Sequence, residues 1–495
     1  MRIREVPPDV AREQLSAALA AVEDANPGMT AATRATRGQR IGAAAALCVF
    51  VVAMIVWPTW TAVVLTTLGT VLYLATVLHR AGLVRASLGQ DPSVHVSDDD
   101  ARAVADHDLP VYTVLVPAYG EPTVLGGLIS ALERLEYPRD RLDIKLLLEA
   151  DDVETIAAAH AVVTDLPVEV LLVPPGEPRT KPRALDYGMR FALGSMVTIY
   201  DAEDHPEPLQ LRRAAVAFGR SDPSTACLQA RLSFYGGNRN LLTRWFTAEY
   251  ATWFNLYLPG LMATHAPIPL GGTSNHFTAE ALHRVGAWDA FNVTEDCDLG
   301  IRLQRAGYSI GLLDSTTMEE PNTDVLNWVK QRSRWYKGYL QTFMVAFRRP
   351  RALVRDLGWR GVAQLVLFVG CTPLLAVMNL WFWGLTLIWV TTRASFVQML
   401  YPVAAYYLAV FVWVIGNLSV VYLSVVTVRT MRRPEFLLAA LLSPLYWVLM
   451  SIAALRAFLQ LVTDPSHWEK TTHGLADPAA VPAAATAPDQ RASRG

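Results

Sequence analysis

Three carboxylates stand within four residues at Asp201-Ala202-Glu203-Asp204, directly after the apolar run 196–200. Because these charges repel one another, a hard divalent cation such as Mg²⁺ or Mn²⁺ is their natural counter-charge. Such an ion would in turn bind the oxygens of a diphosphate. A solvated acidic loop is the alternative, and either Glu203 or Asp204 could accompany Asp201 as the second metal ligand.

Two later segments carry residues that suit group transfer. In Thr294-Glu295-Asp296, a carboxylate could take the proton of an attacking hydroxyl, although Thr294 could equally be a helix N-cap with acids in the first turn. The segment Gln331-Arg332-Ser333-Arg334-Trp335 joins arginines, which suit phosphate contact, to a tryptophan that can stack on a sugar ring. Arginine and tryptophan near a membrane also serve as interface anchors.

A fourth polar group, Glu149-Ala150-Asp151-Asp152, follows the apolar run 144–148. A carboxylate at the end of a strand can accept hydrogen bonds from a nucleoside. Aspartate is also common in ordinary turns, so this group by itself leaves both interpretations open.

Alternating patterns of strands and helices must position these groups. Strand-like apolar runs at 112–116, 144–148, 168–173 and 196–200 are separated by helical patterns such as 122–135 and 181–193. This alternation predicts a mainly parallel, doubly wound α/β sheet. Ligands bind such sheets beyond the carboxyl ends of the strands, where the acidic groups lie.

Apolar stretches on both sides of this domain predict membrane helices. The stretch 41–78 is interrupted only at Trp57-Pro58-Thr59-Trp60 and predicts a two-helix hairpin, and 362–390, 401–428 and 436–462 each exceed one minimal span. Arginines flank the hairpin and the last loop, which predicts a cytoplasmic domain by the positive-inside rule. They are Arg34, Arg37, Arg40, Arg80, Arg85, Arg429, Arg432 and Arg433.

Composition supports this organisation, since 52% of the residues are hydrophobic and the net charge is −2. No block of positive charge argues for a nucleic-acid partner. We expect five segments, which are a cytoplasmic N-terminal segment (1–40), a transmembrane hairpin (41–79), an α/β domain (105–348), a second transmembrane region (361–462) and a partly disordered tail (463–495).

Taken in order, these motifs resemble the membrane-bound, inverting family 2 glycosyltransferases that include cellulose synthase and hyaluronan synthase. The resemblance implies a GT-A domain, which is Rossmann-like, flanked by transmembrane helices in the cell membrane. It also implies a nucleotide-sugar donor, a glycan or lipid acceptor, Mg²⁺ or Mn²⁺, and contact with membrane lipids. Export partners are left open.

The resemblance assigns roles to individual residues. Asp296 of the T-E-D motif matches the catalytic base, and Asp201 with Glu203 matches the metal-binding D-x-D pair, with Glu in the second acidic place. The donor site comprises Pro117, Tyr119, Glu121, Asp151, Asp152, Lys181, Asp201 and Arg334. The acceptor site comprises Ser274, Glu295, Gln331 and Trp335, and the last two belong with Arg334 to the Q-x-x-R-W signature of polymerising members.

Three functions are therefore weighed for this chain. Processive synthesis of a β-linked polysaccharide, from a UDP-hexose, is favoured by Gln331 to Trp335. Transfer of one sugar to diacylglycerol or a polyprenyl phosphate is the alternative enzyme function. A transporter or binding protein that has lost catalysis is less compatible with predicted spans that contain almost no ionisable residue except Arg456.

Overall fold

The computed structural model describes residues 1–89, 92–465 and 467–469, so most of the predicted tail lies outside the described residues. The strands are β1 (Arg2–Ile3), β2 (Ser93–Val94), β3 (Tyr112–Ala118), β4 (Leu142–Glu149), β5 (Val168–Val173), β6 (Met196–Ile199), β7 (His205–Pro206), β8 (Thr225–Phe234), β9 (Asn275–Thr278) and β10 (Ser309–Glu319).

The helices that precede residue 320 are α1 (Pro8–Ala25), α2 (Arg37–Val56), α3 (Pro58–Gly89), α4 (Asp98–Ala103), α5 (Leu125–Glu133), α6 (Val153–Ala161), α7 (Lys181–Met189), α8 (Gln210–Arg220), α9 (Leu241–Thr252), α10 (Leu258–Ala263), α11 (Ala279–Val285) and α12 (Glu295–Arg305). The later helices are α13 (Val325–Ala346), α14 (Pro350–Leu365), α15 (Cys371–Thr392), α16 (Ser395–Met399), α17 (Val403–Phe411), α18 (Asn417–Thr430), α19 (Leu437–Leu441) and α20 (Ser443–Thr463).

The described strands form one mixed sheet in the order β1-β5-β4-β3-β6-β9-β8-β10-β2, with β7 paired to β10. Strand β9 is antiparallel to both β6 and β8, and β7 is antiparallel to β10, whereas the other pairs are parallel. The predicted, mainly parallel α/β sheet is confirmed. Its parallel strands end at one edge, so the residues after β3, β4 and β6 meet there.

The sheet is buried on both faces because its strands are apolar at successive positions rather than at every second one. In β4, Leu147 packs into one hydrophobic cluster with Leu115 of β3. Its neighbours Leu146 and Leu148 pack into a second cluster on the opposite face. Helices cover both faces, which is why the three successive residues 146–148 of β4 are all apolar.

The N-terminal segment belongs to this α/β domain rather than preceding it. Strand β1 pairs with β5 at the sheet edge, and Ala11 and Leu15 of α1 enter the core. Strand β2 adds to the opposite edge beside β10. The predicted domain boundary at residue 105 is therefore too late, because short edge strands carry too little periodic signal to be recognised in the sequence.

Five helical segments of the described chain are long and apolar enough to cross a membrane, at Arg37–Val56, Pro58–Gly89, Pro350–Thr392, Val403–Thr430 and Ser443–Thr463. In α2, which the structure describes from end to end, no residue is buried. An apolar helix without buried residues is typical of contact with lipid. The structure also extends the hairpin to Gly89 and begins the C-terminal helices at Pro350.

Helix α20 runs alongside α13 in the same direction. The rings of Trp328 and Tyr446 lie 5.0 Å apart near the start of both helices, and Tyr336 packs against small residues of α20 such as Ala454. Beyond the end of α20, Lys337 Nζ donates a hydrogen bond to the His467 carbonyl oxygen at 2.8 Å. Helix α13, which carries the Q-x-x-R-W segment, therefore lies between the α/β domain and the apolar C-terminal helices.

Gly260 fixes the contact between the α/β domain and helix α3. A methyl group on Gly260 would overlap the backbone of Leu83, including its carbonyl oxygen. We expect Gly260→Ala to lower the free energy of unfolding by about 1–3 kcal/mol, as overpacking usually does. The measurement is the thermal unfolding midpoint of the protein in detergent.

Gly127→Ala is the matched control, because position 127 lies in α5 and a methyl group there would have no heavy atom within 4 Å. Its effect should stay within about 1 kcal/mol, the difference in helix propensity between glycine and alanine. Equal effects of the two substitutions would contradict the close approach of α3 to α10.

Candidate active site

A cavity of about 840 Å³ begins at the carboxyl edge of the sheet and continues between α3, α9, α13, α15, α18 and α20. Eleven of the residues that the sequence assigned to the site line it. They are Pro117, Tyr119, Glu121, Lys181, Asp201, Glu203, Glu295, Asp296, Gln331, Arg334 and Trp335. The predicted residues Asp151, Asp152 and Ser274 are not part of this lining.

The turn after β6 directs two of its three carboxylates into the cavity. Asp204 is fully buried, and its Oδ2 accepts a hydrogen bond from the Asp201 backbone N–H at 2.8 Å and contacts the Thr273 hydroxyl. Asp204 therefore stabilises the turn, whereas Asp201 and Glu203 face the cavity. This placement favours Glu203 over Asp204 as the partner of Asp201, because Asp204 Oδ2 is used inside the turn.

Lys181, the first residue of α7, brings a positive charge to this turn. Its ammonium group contacts the Asp201 carboxylate and donates a hydrogen bond to the Gly272 carbonyl oxygen at 2.8 Å. Burial alone would lower the pKa of Lys181, but the charges of Asp201 and Glu295 raise it above the ordinary value. Lys181 therefore remains charged.

The side chains of the acidic turn are of the chemical type that binds a divalent cation. Burial, and then the charges of Asp201 and Glu203, raise the pKa of Asp204 well above its usual range. Burial and the same group of carboxylates also raise the pKa of Glu319. Carboxyl groups that are crowded in this way favour a bound cation in addition to Lys181.

Two carboxylates are also the number that a Mg²⁺ site needs when substrate phosphates complete its coordination. In the described part of the chain, no three Asp, Glu, His or Cys side chains are grouped so that they could hold a metal ion by themselves. Asp201 and Glu203, which face the cavity, are therefore the residues that could hold such an ion together with substrate phosphates.

Asp296 lies in the first turn of α12, opposite Lys181 across Gly272. A side-chain carbon at position 272 would lie 3.5 Å from Asp296 Oδ2 and 3.9 Å from Lys181 Nζ. Burial raises the pKa of Asp296 to about 6, although Lys181 and Arg334 oppose the shift. Burial, and then the charge of Asp296, raise the pKa of Glu295 to about 8. Near neutral pH, Asp296 is thus the ionised member of the pair.

Close packing of α13 brings the T-E-D and Q-x-x-R-W segments together. Gly338 of α13 lies against Thr294, and a methyl group at position 338 would overlap the threonine side chain. Gln341 Oε1 accepts a hydrogen bond from the Val293 backbone N–H at 3.2 Å. Because α13 and the start of α12 are in contact, the Arg334 guanidinium interacts electrostatically with the carboxyl groups of Glu295 and Asp296.

The Q-x-x-R-W residues Gln331, Arg334 and Trp335 form another part of the cavity wall. Among the described residues no donor reaches the buried Gln331 Oε1, so this oxygen can accept a hydrogen bond from a ligand. The Arg334 guanidinium lies 4.2 Å from the ring centroid of Trp468. The segment His467-Trp468-Glu469 thus returns to the site after α20, whereas Lys470 and Thr471, which follow it in the sequence, lie outside the described residues.

The part of the cavity near Tyr119 contains a residue that the motifs did not reveal. Arg179 donates hydrogen bonds to Asp151 Oδ2 at 2.7 Å and to the Tyr119 hydroxyl at 3.1 Å. Asp151 therefore reaches the site through Arg179. Asp152 instead accepts backbone N–H bonds from Gly120 at 2.5 Å and from Thr155 at 3.2 Å, so it holds the turn after β3 rather than facing the cavity.

Ser274, which the sequence assigned to the acceptor site, lies inside the domain. It is fully buried, and its hydroxyl donates to Thr317 Oγ1 at 2.7 Å. His276 is buried as well, with Nδ1 2.7 Å from the Tyr112 hydroxyl. Both residues belong to the β9 region between β6 and β8. The central position of β9 in the sheet could not be recognised from the local sequence alone.

The family model for glycosyl transferase family group 2 matches residues 196–462, which is more than half of the chain. This chain is a family 2 glycosyltransferase. The matched segment begins at β6 and includes the acidic turn, the T-E-D motif, the Q-x-x-R-W motif and the C-terminal apolar helices. The glycosyltransferase family that the motifs resemble is thereby confirmed.

Curated relatives of this glycosyltransferase are identical to it at about one aligned residue in four. The probable glycosyltransferase YdaM of Bacillus subtilis is 26% identical over 235 residues, which are 47% of this chain and 56% of the relative. The beta-monoglucosyldiacylglycerol synthase of Synechocystis is 27% identical over 264 residues, or 52% and 54%. The probable glucomannan 4-beta-mannosyltransferase 10 of Arabidopsis thaliana is 27% identical over 242 residues, or 47% and 44%. The chain thus spans about half the length of the curated relatives it matches.

A solved structure identifies the fold of this glycosyltransferase as GT-A. The mannosyltransferase PcManGT of Pyrobaculum calidifontis, solved with GDP-Man and Mn²⁺, covers 82% of this chain and 99% of its own length. The TM-score is 0.52 at 19% sequence identity. At this identity the likeness shows the fold alone, and it confirms the Rossmann-like GT-A domain that the sequence predicts.

Proposed function

We propose that this protein transfers a hexosyl group from a nucleotide-sugar to an acceptor hydroxyl with inversion at the anomeric carbon. The observation that supports this proposal is the position of Asp296. It lines the same cavity as the acidic turn at Asp201 and the cations Lys181 and Arg334. A proton acceptor and a diphosphate-binding set of charges are the two components that such a single displacement requires.

Asp296 suits the role of general base. A carboxyl group with a pKa of about 6 is ionised at neutral pH and is more basic than an ordinary aspartate, so it takes a hydroxyl proton more readily. As the acceptor oxygen attacks the anomeric carbon, its proton passes to Asp296 and the bond to the diphosphate breaks. Because no second carboxylate has to form a covalent intermediate, the product is β-linked.

The leaving diphosphate is stabilised by charge that is already in place. Lys181 and Arg334 line the same cavity and provide two preorganised cations for the charge that develops on the diphosphate. Asp201 and Glu203 would hold Mg²⁺ or Mn²⁺, which neutralises phosphate charge and makes the diphosphate a better leaving group. A mannosyltransferase of the same fold was solved with Mn²⁺.

For the acceptor, we propose a growing β-linked polysaccharide. The cavity continues into the apolar helices, where it is lined by polar side chains as well as aromatic ones; the polar ones include Thr76, Asn379 and Ser424. Polar groups at membrane depth are costly and mark a path for a polar ligand. Rings such as Trp253 and Trp447 offer surfaces on which sugars stack.

A lipid acceptor is the second candidate function, because one relative is named a glucosyldiacylglycerol synthase and the cavity also has apolar walls. A β-linked glucomannan or related polymer corresponds to another relative. We propose a UDP-hexose as the donor, and a GDP-sugar is the alternative because a mannosyltransferase of the same fold was solved with GDP-Man. We place the α/β domain in the cytoplasm, at the cell membrane, because arginines flank the helices on that side.

A panel of radiolabelled UDP- and GDP-sugars, supplied to the protein in nanodiscs with Mg²⁺ or Mn²⁺, tests the reaction and the acceptor together. We expect label in a product that grows with time, and we expect EDTA to abolish its formation and added Mn²⁺ or Mg²⁺ to restore it. Label in the organic extract alone would establish the lipid acceptor instead. Transfer that survives EDTA would contradict the metal site at Asp201 and Glu203.

Replacing Asp296 by Asn tests the base. We expect a fall in kcat of about 100-fold or more, the usual contribution of general base catalysis. The KM for the donor should change little, because the uncharged amide keeps the shape of the side chain. Since burial disfavours the charged form of Asp296, the unfolding midpoint at neutral pH should be unchanged or higher.

Asp165→Asn is the matched control, because the Asp165 side chain is 94% exposed on a surface loop. It should leave both kcat and KM at wild-type values. Full activity of the Asp296→Asn variant would remove Asp296 as the base.

The pH profile gives an independent test of the same residue. Asp296 accepts a proton only when it is ionised, so kcat/KM should fall as the pH is lowered through the raised pKa of about 6. Burial, and then the charge of Asp296, raise the pKa of Glu295 above that of Asp296. Glu295→Gln should therefore leave the midpoint of the acid limb unchanged. A midpoint near that of an ordinary aspartate, about 4, would contradict the buried environment.

A further inference from the structure

Glu249 of α9 and Arg332, one of the two variable positions of the Q-x-x-R-W segment, form a charged pair that lines the cavity between α9, α13 and α20. Arg332 donates two hydrogen bonds to the carboxylate of Glu249. Nη1 donates to Oε1 at 2.8 Å, and Nη2 donates to Oε2 at 2.6 Å. The Tyr446 hydroxyl donates to the same Oε2 at 2.7 Å. The three residues thus connect three helices through one carboxylate.

The two charges of this pair differ in their access to the cavity. The Arg332 side chain is 8% exposed and the Glu249 side chain is 29% exposed, and both line the cavity. The Arg332 side chain is thus held inside the protein, while part of the Glu249 carboxylate faces the cavity. A carboxylate offers about four positions for hydrogen-bond donors. Among the described residues, Arg332 and Tyr446 supply three donors, so acceptor capacity is left on the cavity side.

The same arginine also supports Trp335, the aromatic residue of the Q-x-x-R-W segment. The Arg332 guanidinium lies 4.5 Å from the Trp335 ring centroid. On another side, Trp335 packs against Phe246 with 5.9 Å between ring centroids. Glu249 and Trp335 are therefore held in a fixed relation, as a carboxylate beside an aromatic ring. Carbohydrate is recognised by this combination, because its ring stacks on the aromatic surface while its hydroxyls donate to the carboxylate.

We infer that Glu249 is an acceptor-binding residue that accepts a hydrogen bond from a hydroxyl of a glycan, and that Arg332 and Tyr446 are its positioning residues. This inference rests on the proposed function and assigns a carbohydrate to the acceptor half of the cavity. An acyl chain over Glu249 would take the exposed part of the carboxylate out of water without offering it a donor, which is unfavourable.

Equilibrium binding of two probes, cellotetraose and β-1,4-linked mannotetraose, tests the inference in the full-length protein in nanodiscs. For whichever probe binds the wild type, Glu249→Gln should raise Kd about tenfold or more, the usual loss for a hydrogen bond to a charged group. The Kd for the donor's nucleoside diphosphate should not change, because Glu249 lies on the acceptor side. Calorimetry measures both constants on the same preparation.

Tyr446→Phe provides a second variant, because it removes one donor from Glu249 and leaves the Arg332–Glu249 pair intact. It should raise Kd for the tetrasaccharide alone, by a smaller factor, even where Glu249→Gln fails to fold. Tyr308→Phe is the matched control, since the Tyr308 hydroxyl contacts Arg284 at 3.5 Å and Tyr308 is not part of the cavity lining. It should change neither constant.

Each contrary outcome has a distinct meaning. Equal weakening of tetrasaccharide and nucleotide binding, or no effect of the Glu249 and Tyr446 variants, would overturn the inference in favour of a purely structural ion pair. Absence of tetrasaccharide binding to the wild type would also overturn it, while sugar transfer in the donor panel would still uphold the proposed function. Binding that depends on Glu249 without any transfer would uphold the inference and contradict the proposed reaction.

Discussion

The arrangement of the site depends on how charge is balanced among groups that line one cavity, above all the carboxyl groups of Asp201, Glu203, Glu295 and Asp296 and the cations Lys181 and Arg334. Asp201 contacts Lys181, while Glu295 and Asp296 lie within the field of both Lys181 and Arg334. Burial would neutralise most of these groups if they stood alone. Their proximity keeps Lys181 charged and leaves Asp296 as an ionised carboxylate near neutral pH.

The fold supplies this proximity from distant parts of the chain. Lys181 begins α7, Asp201 follows β6, Asp296 begins α12 and Arg334 lies within α13. Parallel strands that end at one edge bring the first three together, and the contact of Gly338 with Thr294 brings the fourth. The buried polar residues around them, such as Asp204 and Asp152, hydrogen-bond to backbone groups of the turns. They hold the turns in place without facing the ligand.

The position of α13 connects the chemistry to the membrane helices. One side of this helix contacts the start of α12, and its other side runs along α20. The cavity is therefore continuous from the sheet edge into the apolar helices. In the proposed reaction, this continuity lets the acceptor approach from the membrane while the donor enters from the opposite side. The Arg332–Glu249 pair lies along that path, where a charged group needs a polar ligand or water.

The sequence by itself determined the family, the α/β sheet, the apolar helices and eleven of the residues that line the cavity. These features depend on local signals, since hydrophobic periodicity fixes the strands and helices, and motif residues cluster where strands end. Only the tertiary structure decided that Asp204, Asp152 and Ser274 face inward, because a carboxylate or hydroxyl in a turn can point either way. It also revealed Glu249, which is 83 residues from Arg332 in sequence. Contacts between such distant residues depend on helix packing, which no local pattern specifies.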